Sequence, residues 1–184
     1  KEAHAMGMAV LVDEAHGAHY YFDKTGPVSA MDAGADIASV SFHKTGGSLT
    51  QSSVLLLKSK IIEKEIVQKS LNILNTTSPS SILLASLDAA RAYVYKYGQK
   101  NMDRVHELSR FARERISKIK GFKTCDREHF LARGSYDYDD TKLVIKLENL
   151  DINGFELYQL LKKDYQIQME LAETYVVMGV LAIG

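Results

Sequence analysis

The chain of 184 residues, 46% hydrophobic and 25% charged, is long enough to enclose one sizeable hydrophobic core. Its 23 basic residues balance its 23 acidic residues, so no net charge favours binding to nucleic acid or to an anionic membrane surface. A single cysteine excludes an internal disulfide framework and agrees with a cytoplasmic location, and no apolar run approaches the roughly 20 residues of a membrane span.

The first half of the chain alternates short apolar runs with loops and helices, which is typical of an α/β protein. Residues 9–12 predict a parallel strand that is buried on both faces, and residues 37–40 and 53–57 predict the next two strands. The glycine- and histidine-rich residues 17–27 predict a loop. Ser59 is expected to cap a helix that runs to about residue 71.

The second half predicts two helices followed by a smaller mixed region. After a polar turn at residues 75–80, apolar residues at helical spacing predict a helix over 81–96 that Gly98 stops, and another over 101–119 that Gly121 stops. Further elements are then expected, namely strand 143–147, helix 153–163 and strands 168–171 and 176–183. We therefore predict an α/β domain at 1–121 and the start of a smaller α+β region at 122–184.

Both ends of the sequence resemble the interior of a longer protein. Residues 1–6 are typical of the last turns of a helix, without a start methionine or an N-cap. Residues 175–184 stop inside or just after an apolar, strand-like run. We therefore expect the chain to be an internal piece of a longer protein.

A carboxylate and an amine each follow a predicted strand. Asp13 comes directly after the apolar residues 8–12, and Lys44 lies four residues after Val40, in the run Ser41-Phe42-His43-Lys44-Thr45-Gly46-Gly47. A lysine amine condenses with an aldehyde cofactor, and a carboxylate beside a pyridine nitrogen keeps that nitrogen protonated. The pair therefore predicts a site for pyridoxal phosphate (PLP), and we expect no metal in it.

Residues near this pair have chemical groups that suit the same cofactor. Ala15 points the same way as Asp13 on an extended chain and is small enough for a flat ring to pack against it. Ser41 and His43 offer a hydroxyl and an imidazole N–H to a phosphate group. His16 lies in the loop over the expected site, where contact with the substrate and simple packing both remain open.

A second interpretation applies to Val12-Asp13-Glu14-Ala15-His16. An apolar run followed by Asp-Glu-Ala-His also resembles the Mg²⁺-binding segment of a DEAH-type NTPase, in which the Asp holds the metal and the Glu positions the attacking water. That interpretation requires a GxxxxGK[ST] phosphate loop, which this sequence lacks. The segment after the second strand also carries Lys44 where such an enzyme would carry a Ser-Ala-Thr motif.

Three segments together resemble the major PLP domain of the Orn/Lys/Arg decarboxylases, in particular the Gram-positive type. They are Asp13-Glu14-Ala15-His16-Gly17-Ala18-His19, Ser41-Phe42-His43-Lys44-Thr45, and Thr76-Thr77-Ser78-Pro79-Ser80 with the following Ala85-Ser86-Leu87-Asp88-Ala89-Ala90-Arg91. The resemblance implies the three-layer, fold-type-I architecture of PLP-dependent transferases with a mostly parallel sheet. Residues 1–121 would then be the C-terminal part of the PLP-binding large domain.

The resemblance also implies roles for individual residues. Lys44 would be the Schiff-base lysine, Asp13 the partner of the pyridinium nitrogen, and Ala15 would lie against the ring, while Ser41 and His43 would bind the phosphate. Thr76 and Thr77 would reach the cofactor of a neighbouring subunit, which implies a homodimer. The family's upstream phosphate loop and its ring-stacking residue are not part of this sequence.

The implied reaction is decarboxylation of arginine, lysine or ornithine to a polyamine or diamine, with Lys44 or a nearby histidine returning the proton. Glu170 and Glu173 are candidates for binding the distal cationic group of the substrate. Two alternatives remain open: another fold-type-I enzyme, such as an aminotransferase or lyase, and a non-catalytic fragment.

Overall fold

The computed structural model describes residues 1–183, which form two compact units. The first unit comprises Lys1–Gln99 together with Ile183, and the second comprises Lys100–Ala182. The domain limits predicted at 1–121 and 122–184 stay a prediction, because a compact set of contacts does not by itself define an independently folding domain.

The first unit contains a three-stranded sheet in the order β1-β2-β3. Strand β1 (Leu11–Asp13) pairs in parallel with β2 (Ile37–Val40), and β2 pairs antiparallel with β3 (Val54–Leu57). The register places Asp13 opposite Ser39. The predicted parallel pairing of the first two strands is confirmed, and the described sheet is mixed.

The expected burial of the first strand on both faces is wrong for the described part of the chain. Leu11 is 65% exposed and Asp13 is exposed, whereas Ala38 and Val40 of β2 are almost fully buried. β2 lies between two hydrogen-bonded neighbours, while β1 has one neighbour within residues 1–183. The apolar sequence of β1 is therefore typical of a buried strand, but within residues 1–183 nothing covers it on both faces.

Short helices precede and connect these strands. Helix α1 (Glu2–Ala5) precedes β1, a 3-10 helix (Ala18–Tyr21) follows it, and α2 (Phe42–Thr45) begins two residues after β2. Phe42 and Thr45 of α2 are buried. Five alanines of the first unit are also buried, namely Ala18, Ala30, Ala35, Ala38 and Ala90.

Helix α3 (Lys64–Leu74) begins later than the sequence predicts. Its N-cap residue is Glu63, whose side chain makes no capping hydrogen bond. The Ser59 hydroxyl instead donates to Asp36 Oδ1 at 2.5 Å and accepts the backbone N–H groups of Ile61 and Ile62. Ser59 therefore closes a turn that precedes the helix, which is a common alternative use of a serine hydroxyl.

Helix α4 (Ser81–Ile116) is continuous, so the predicted helix break at Gly98 is wrong. Gly98 is buried inside the helix, and a Cβ atom built on it would lie 2.6 Å from Phe22 Cβ. This glycine therefore permits close packing of Phe22 against the helix. The cost of about 1 kcal/mol for a helical glycine is small relative to the stability of a helix of 36 residues held by packing.

The second unit contains an antiparallel sheet in the order β4-β5-β7-β6. Its strands are β4 (Phe122–Thr124), β5 (Lys142–Leu147), β6 (Leu171–Glu173) and β7 (Val176–Val180), with helices α5 (Arg127–Leu131) and α6 (Gly154–Tyr165). A capping box between Asn153 and Glu156 begins α6. Ile145, Leu147, Leu157, Met169 and Val177 form its buried core.

The half-buried Arg113 ties several parts of the second unit together. Its guanidinium donates to the Cys125 carbonyl at 3.3 Å, to the Lys142 carbonyl at 2.9 Å and to the Tyr138 hydroxyl at 3.0 Å. It also donates to the Ser109 hydroxyl. The planar fork of an arginine suits this set of acceptors, which a lysine would not match.

Within residues 1–183, no helix combines the length and apolar character that a membrane span requires. Over the same range, no three His, Cys, Asp or Glu side chains are grouped as a metal site would need.

Candidate active site

The fold brings Asp13 and Lys44 to one end of the first sheet. Asp13 is the last residue of β1, and Lys44 belongs to α2, which begins after β2 ends at Val40. Because β1 and β2 are parallel neighbours, their carboxyl ends lie at the same edge of the sheet. That edge is where open α/β sheets bind their ligands.

His16 provides the direct contact with Lys44. The Lys44 amine lies 3.3 Å from His16 Nε2, so the amine can donate to the imidazole. Lys44 is exposed and His16 is half-buried. The loop after β1 therefore places an imidazole beside the only amine of α2, while the predicted contact of His16 with a substrate stays a prediction.

The chain directly after β1 orients the Asp13 carboxylate. Asp13 Oδ1 accepts the backbone N–H of Ala15 at 3.0 Å, which is an Asx-type turn. The carboxylate itself remains exposed, and Ala15 is half-buried beside it. The strand end thus presents one fixed negative charge with a small side chain next to it.

Glu14 lies next to Asp13 in sequence but is used inside the protein. Its carboxylate accepts the Ala30 backbone N–H at 2.7 Å and the Tyr21 hydroxyl at 2.6 Å. Burial, together with this bond to Glu14, raises the pKa of the Tyr21 hydroxyl above its usual range. A glutamate committed to two internal donors cannot position an attacking water, as the NTPase interpretation requires.

Ser41 and His43 precede Lys44 in sequence, and they differ in whether the side chain is hydrogen-bonded within the protein. Ser41 is the N-cap residue of α2, yet its side chain makes no capping hydrogen bond. His43 Nδ1 lies 2.8 Å from the Ser52 carbonyl oxygen, which can only accept, so Nδ1 carries the proton. His43 Nε2 is therefore an acceptor in the neutral ring and can donate to a phosphate only when the imidazole is protonated.

Thr45 is a residue near the site that the sequence did not single out. It is 2% exposed, and its hydroxyl has no hydrogen-bond partner within residues 1–183. A buried hydroxyl without a partner is uncommon in folded proteins. Its position next to Lys44 in the sequence was the available signal.

Thr76 and Thr77 lie in the exposed segment between α3 and α4. The Thr76 hydroxyl accepts the Ser78 backbone N–H at 3.1 Å. Thr76 also lines a cavity of about 340 Å³ together with Ser52, whose carbonyl holds His43. Neither threonine hydrogen-bonds to Lys44 or Asp13 within residues 1–183, so their predicted contact with a cofactor stays a prediction.

Glu170 and Glu173, the candidates for binding the distal cation of a substrate, are exposed residues of the second unit. Glu173 ends β6, and the Glu170 backbone N–H donates to the Met178 carbonyl at 2.8 Å. Their predicted role likewise stays a prediction.

These residues fit PLP in the chemistry of their donors and acceptors. An exposed amine lies beside an imidazole, a carboxylate lies at the neighbouring strand end, and the Ser41 hydroxyl is not used to cap its helix. An aldehyde, a pyridine nitrogen and a phosphate would each find a complementary group in this set.

Comparison with known proteins identifies the family of this sequence pattern. The family model for the major domain of Orn/Lys/Arg decarboxylase matches residues 1–184. The arginine decarboxylase of Halalkalibacterium halodurans is 42% identical over 98% of this chain, and that of Bacillus subtilis is 40% identical over 99% of it. In both cases the chain spans 37% of the length of the relative.

The lysine decarboxylase of Francisella novicida has a similar solved structure. It superposes with a TM-score of 0.76 over 95% of this chain and 30% of that chain, at 18% sequence identity. At this identity the similarity shows the fold, which is the fold-type-I architecture of PLP enzymes that the sequence predicted.

Proposed function

Because this chain belongs to the Orn/Lys/Arg decarboxylase family, we propose that its protein removes the α-carboxyl group of a basic amino acid with PLP as the cofactor. The observation that carries this proposal is the 3.3 Å contact between the Lys44 amine and His16, at the sheet edge where Asp13 ends β1. The family match also removes the NTPase alternative, which was wrong.

Each residue of the site has a task that follows from its position. When bound, PLP supplies an aldehyde for amines and a ring that accepts the electron pair left by the departing carboxyl group. Lys44 would hold the cofactor through its amine, and Asp13 would keep the pyridine nitrogen charged. The Ser41 hydroxyl would donate to the phosphate, and Ala15 would leave room for the ring.

His16 is placed to handle the proton of the Lys44 amine. An amine acts as a nucleophile only without its extra proton, and His16 Nε2 can accept that proton across 3.3 Å. The same pair could then return a proton to the α-carbon of the product. This assignment makes His16 an acid–base residue that touches the reacting groups.

We propose arginine as the preferred substrate, because the relatives at 42% and 40% identity are arginine decarboxylases. Lysine and ornithine are the competing basic amino acids. Ratios of kcat/KM for the three, measured with one enzyme preparation, decide between them, and a higher value for lysine or ornithine would contradict the assignment.

We further propose that the protein is a cytoplasmic homodimer in which Thr76 and Thr77 approach the neighbouring subunit's cofactor. Both threonines are exposed and lie next to α3, none of whose residues is buried. The dimer would thus use surface that this chain leaves uncovered.

The test uses the full-length protein supplied with PLP. Lys44→Ala should lose both the visible absorption of the bound cofactor and the release of CO₂ from carboxyl-labelled arginine. Lys60→Ala, at an exposed lysine after β3, serves as the matched control and should keep both. Absorption and CO₂ release that survive Lys44→Ala would refute the assignment.

The products separate the remaining enzyme classes. An aminotransferase would form a keto acid without releasing CO₂, and a non-catalytic protein would form neither product. In His16→Gln we expect the cofactor to remain bound while kcat falls by about 10²–10⁴-fold, as for removal of a general acid–base. An unchanged kcat would contradict the role of His16.

A further inference from the structure

The second unit has a group of basic side chains without matching carboxylates, far in sequence from Lys44. Lys123 on β4 and Lys146 on β5 are directly opposite each other in the antiparallel ladder. Directly opposed residues have Cβ atoms about 4.5–5.5 Å apart on the same face of a sheet, and like charges there are destabilising. The strands thus place the two lysine side chains on one face of the sheet, starting from neighbouring Cβ atoms.

Helix α5 and the turn after it add two more basic groups beside this pair, His129 and Arg133. His129 Nε2 lies 3.4 Å from the Lys146 amine, and the Arg133 guanidinium donates to the His129 carbonyl at 2.8 Å. Lys146 and His129 are half-buried, whereas Lys123 and Arg133 are exposed. The group therefore combines two solvent-accessible basic residues with two that are partly shielded from solvent.

The carboxylates of Asp126 and Asp137 make their hydrogen bonds and ion pairs with other groups than these basic side chains. Within residues 1–183, none of Lys123, Arg133 and Lys146 forms an ion pair with a carboxylate. Asp126 accepts the His129 backbone N–H at 2.9 Å as the N-cap of α5, and nearby Asp137 pairs with Arg127 at 3.0 Å. Proteins usually distribute opposite charges so that such repulsion does not build up.

The electrostatics of His129 agree with this geometry. Partial burial, followed by the positive charges of Arg133, Lys146 and Lys123, lowers the pKa of His129, against an opposing contribution from Asp126. The imidazole therefore lies where a further positive charge is disfavoured until an anion arrives.

We propose that Lys123, His129, Arg133 and Lys146 form a binding site for a tetrahedral oxyanion, either free phosphate or a phosphate monoester. Two ammonium groups, a guanidinium fork and an imidazole are the donors that such an anion accepts. A dianion among them would remove the repulsion between the opposed lysines. The site belongs to the second unit and takes no part in the proposed decarboxylation.

The first experiment measures anion binding to the full-length protein with PLP bound, so that the cofactor phosphate occupies its own site. Labelled sulfate, which keeps its double charge from pH 5.5 to 8, serves as the probe in equilibrium dialysis at constant ionic strength. We expect one sulfate per chain, bound more tightly at pH 5.5 than at pH 8 because protonated His129 adds a fourth charge.

Neutralising one lysine gives the sharper test. Lys146→Gln and Lys123→Gln should each weaken sulfate binding by about tenfold, the loss expected for one charge-assisted hydrogen bond. Lys118→Gln is the matched control, since Lys118 is exposed and paired with Glu114, and it should leave the affinity unchanged. Equal affinities in all four proteins would overturn the proposal.

A measurement of stability checks the repulsion independently of binding. Without added sulfate, Lys123→Gln should raise the thermal midpoint at low ionic strength, because it removes one of two opposed charges. Added sulfate should raise the midpoint of the wild type more than that of the variant, because the variant binds sulfate about tenfold more weakly. A lower midpoint for Lys123→Gln without sulfate would count against the site.

Free phosphate and phosphate monoesters are distinguished by competition. Inorganic phosphate and phenyl phosphate should both displace labelled sulfate, and the one that displaces it at the lower concentration identifies the class of natural ligand. Failure of both to displace sulfate at millimolar concentration would also overturn the proposal.

Discussion

Asp13 and Glu14 carry the same functional group on consecutive residues, and the structure gives them opposite environments. Asp13 ends a strand with its carboxylate exposed and oriented by the Ala15 N–H. Glu14 is buried and satisfies the Ala30 N–H and the Tyr21 hydroxyl. The sequence pattern predicted the position of Asp13 at a strand end but not its exposure, and nothing local to Glu14 revealed donors that lie 7 and 16 residues further on.

This contrast predicts separate effects for two substitutions. Asp13→Asn should leave the free energy of unfolding nearly unchanged and lower kcat, because the pyridine nitrogen would lose its charged partner. Glu14→Ala should lower the free energy of unfolding by about 1–3 kcal/mol, because it leaves the buried Ala30 N–H without an acceptor. Urea unfolding and steady-state kinetics of both variants test this, and a stability loss confined to Asp13→Asn would contradict it.

The Asp36 carboxylate makes the stability of the fold depend on pH in the acid range. Its carboxylate accepts from the Ser59 hydroxyl at 2.5 Å, the Val10 N–H at 2.8 Å and His4 Nε2 at 2.6 Å. These hydrogen bonds, that of Ser59 foremost, lower the pKa of Asp36 to about 2. Since the folded pKa lies below the unfolded value of 3.8, the stabilisation is complete above about pH 4 and is lost as the pH falls towards 2.

Asp36→Asn should therefore flatten one part of the acid-unfolding curve. Between pH 4 and pH 2 the wild type should lose stability more steeply than the variant, while at pH 7 the variant should be the less stable of the two. Circular dichroism during acid titration measures both differences. Asp32→Asn, at an exposed aspartate nearby, is the control, and parallel curves for wild type and Asp36→Asn would contradict the assignment.

At the scale of elements, hydrophobic periodicity predicted where helices and strands exist better than where they stop. Strands β2 and β3 and helix α6 begin and end within two residues of their predicted limits. The predicted helix limits are wrong where a residue contacts a partner that is distant in sequence: Gly98 packs against Phe22, and Ser59 hydrogen-bonds to Asp36. A local rule assigns both residues to helix ends, because it contains no information about residues that approach from elsewhere in the chain.

The packing of Gly98 against Phe22 predicts an effect opposite to helix propensity. Gly98→Ala would normally stabilise a helix by about 1 kcal/mol. Here the added Cβ meets Phe22 Cβ at 2.6 Å, so we expect a loss of about 1–3 kcal/mol from overpacking. In a Phe22→Gly background the same substitution should be neutral or stabilising, and denaturant unfolding of the four proteins completes the cycle. A gain in stability from Gly98→Ala alone would show that Phe22 moves away freely.

At the scale of the whole molecule, the exposed apolar residues of the first unit agree with the proposed homodimer. The placement of Asp13 and Lys44 at one sheet edge was predictable because parallel strands align their carboxyl ends, and His16, three residues after β1, contacts Lys44 there. The degree of burial of β1 and α3 could not be predicted from the sequence, because burial depends on which surfaces come together in the folded protein. Leu11 at 65% exposure and Leu74 at 82% are apolar residues that the described residues leave uncovered.

Helix α3 carries an apolar stripe that fits the proposed homodimer. Ile66, Ile73 and Leu74 are 57%, 81% and 82% exposed, and their spacing places them on one side of the helix.

Ile73→Glu in the full-length protein should weaken the dimer by about tenfold or more, because it introduces a charge into an apolar contact. Gln68→Glu adds the same charge on the other side of α3 and should leave the dimer intact. Sedimentation over a range of concentrations measures both, and a dimer equally stable in the two variants would place the interface elsewhere. Loss of cofactor absorption together with dissociation would further indicate that the site depends on residues such as Thr76 and Thr77 of the second subunit.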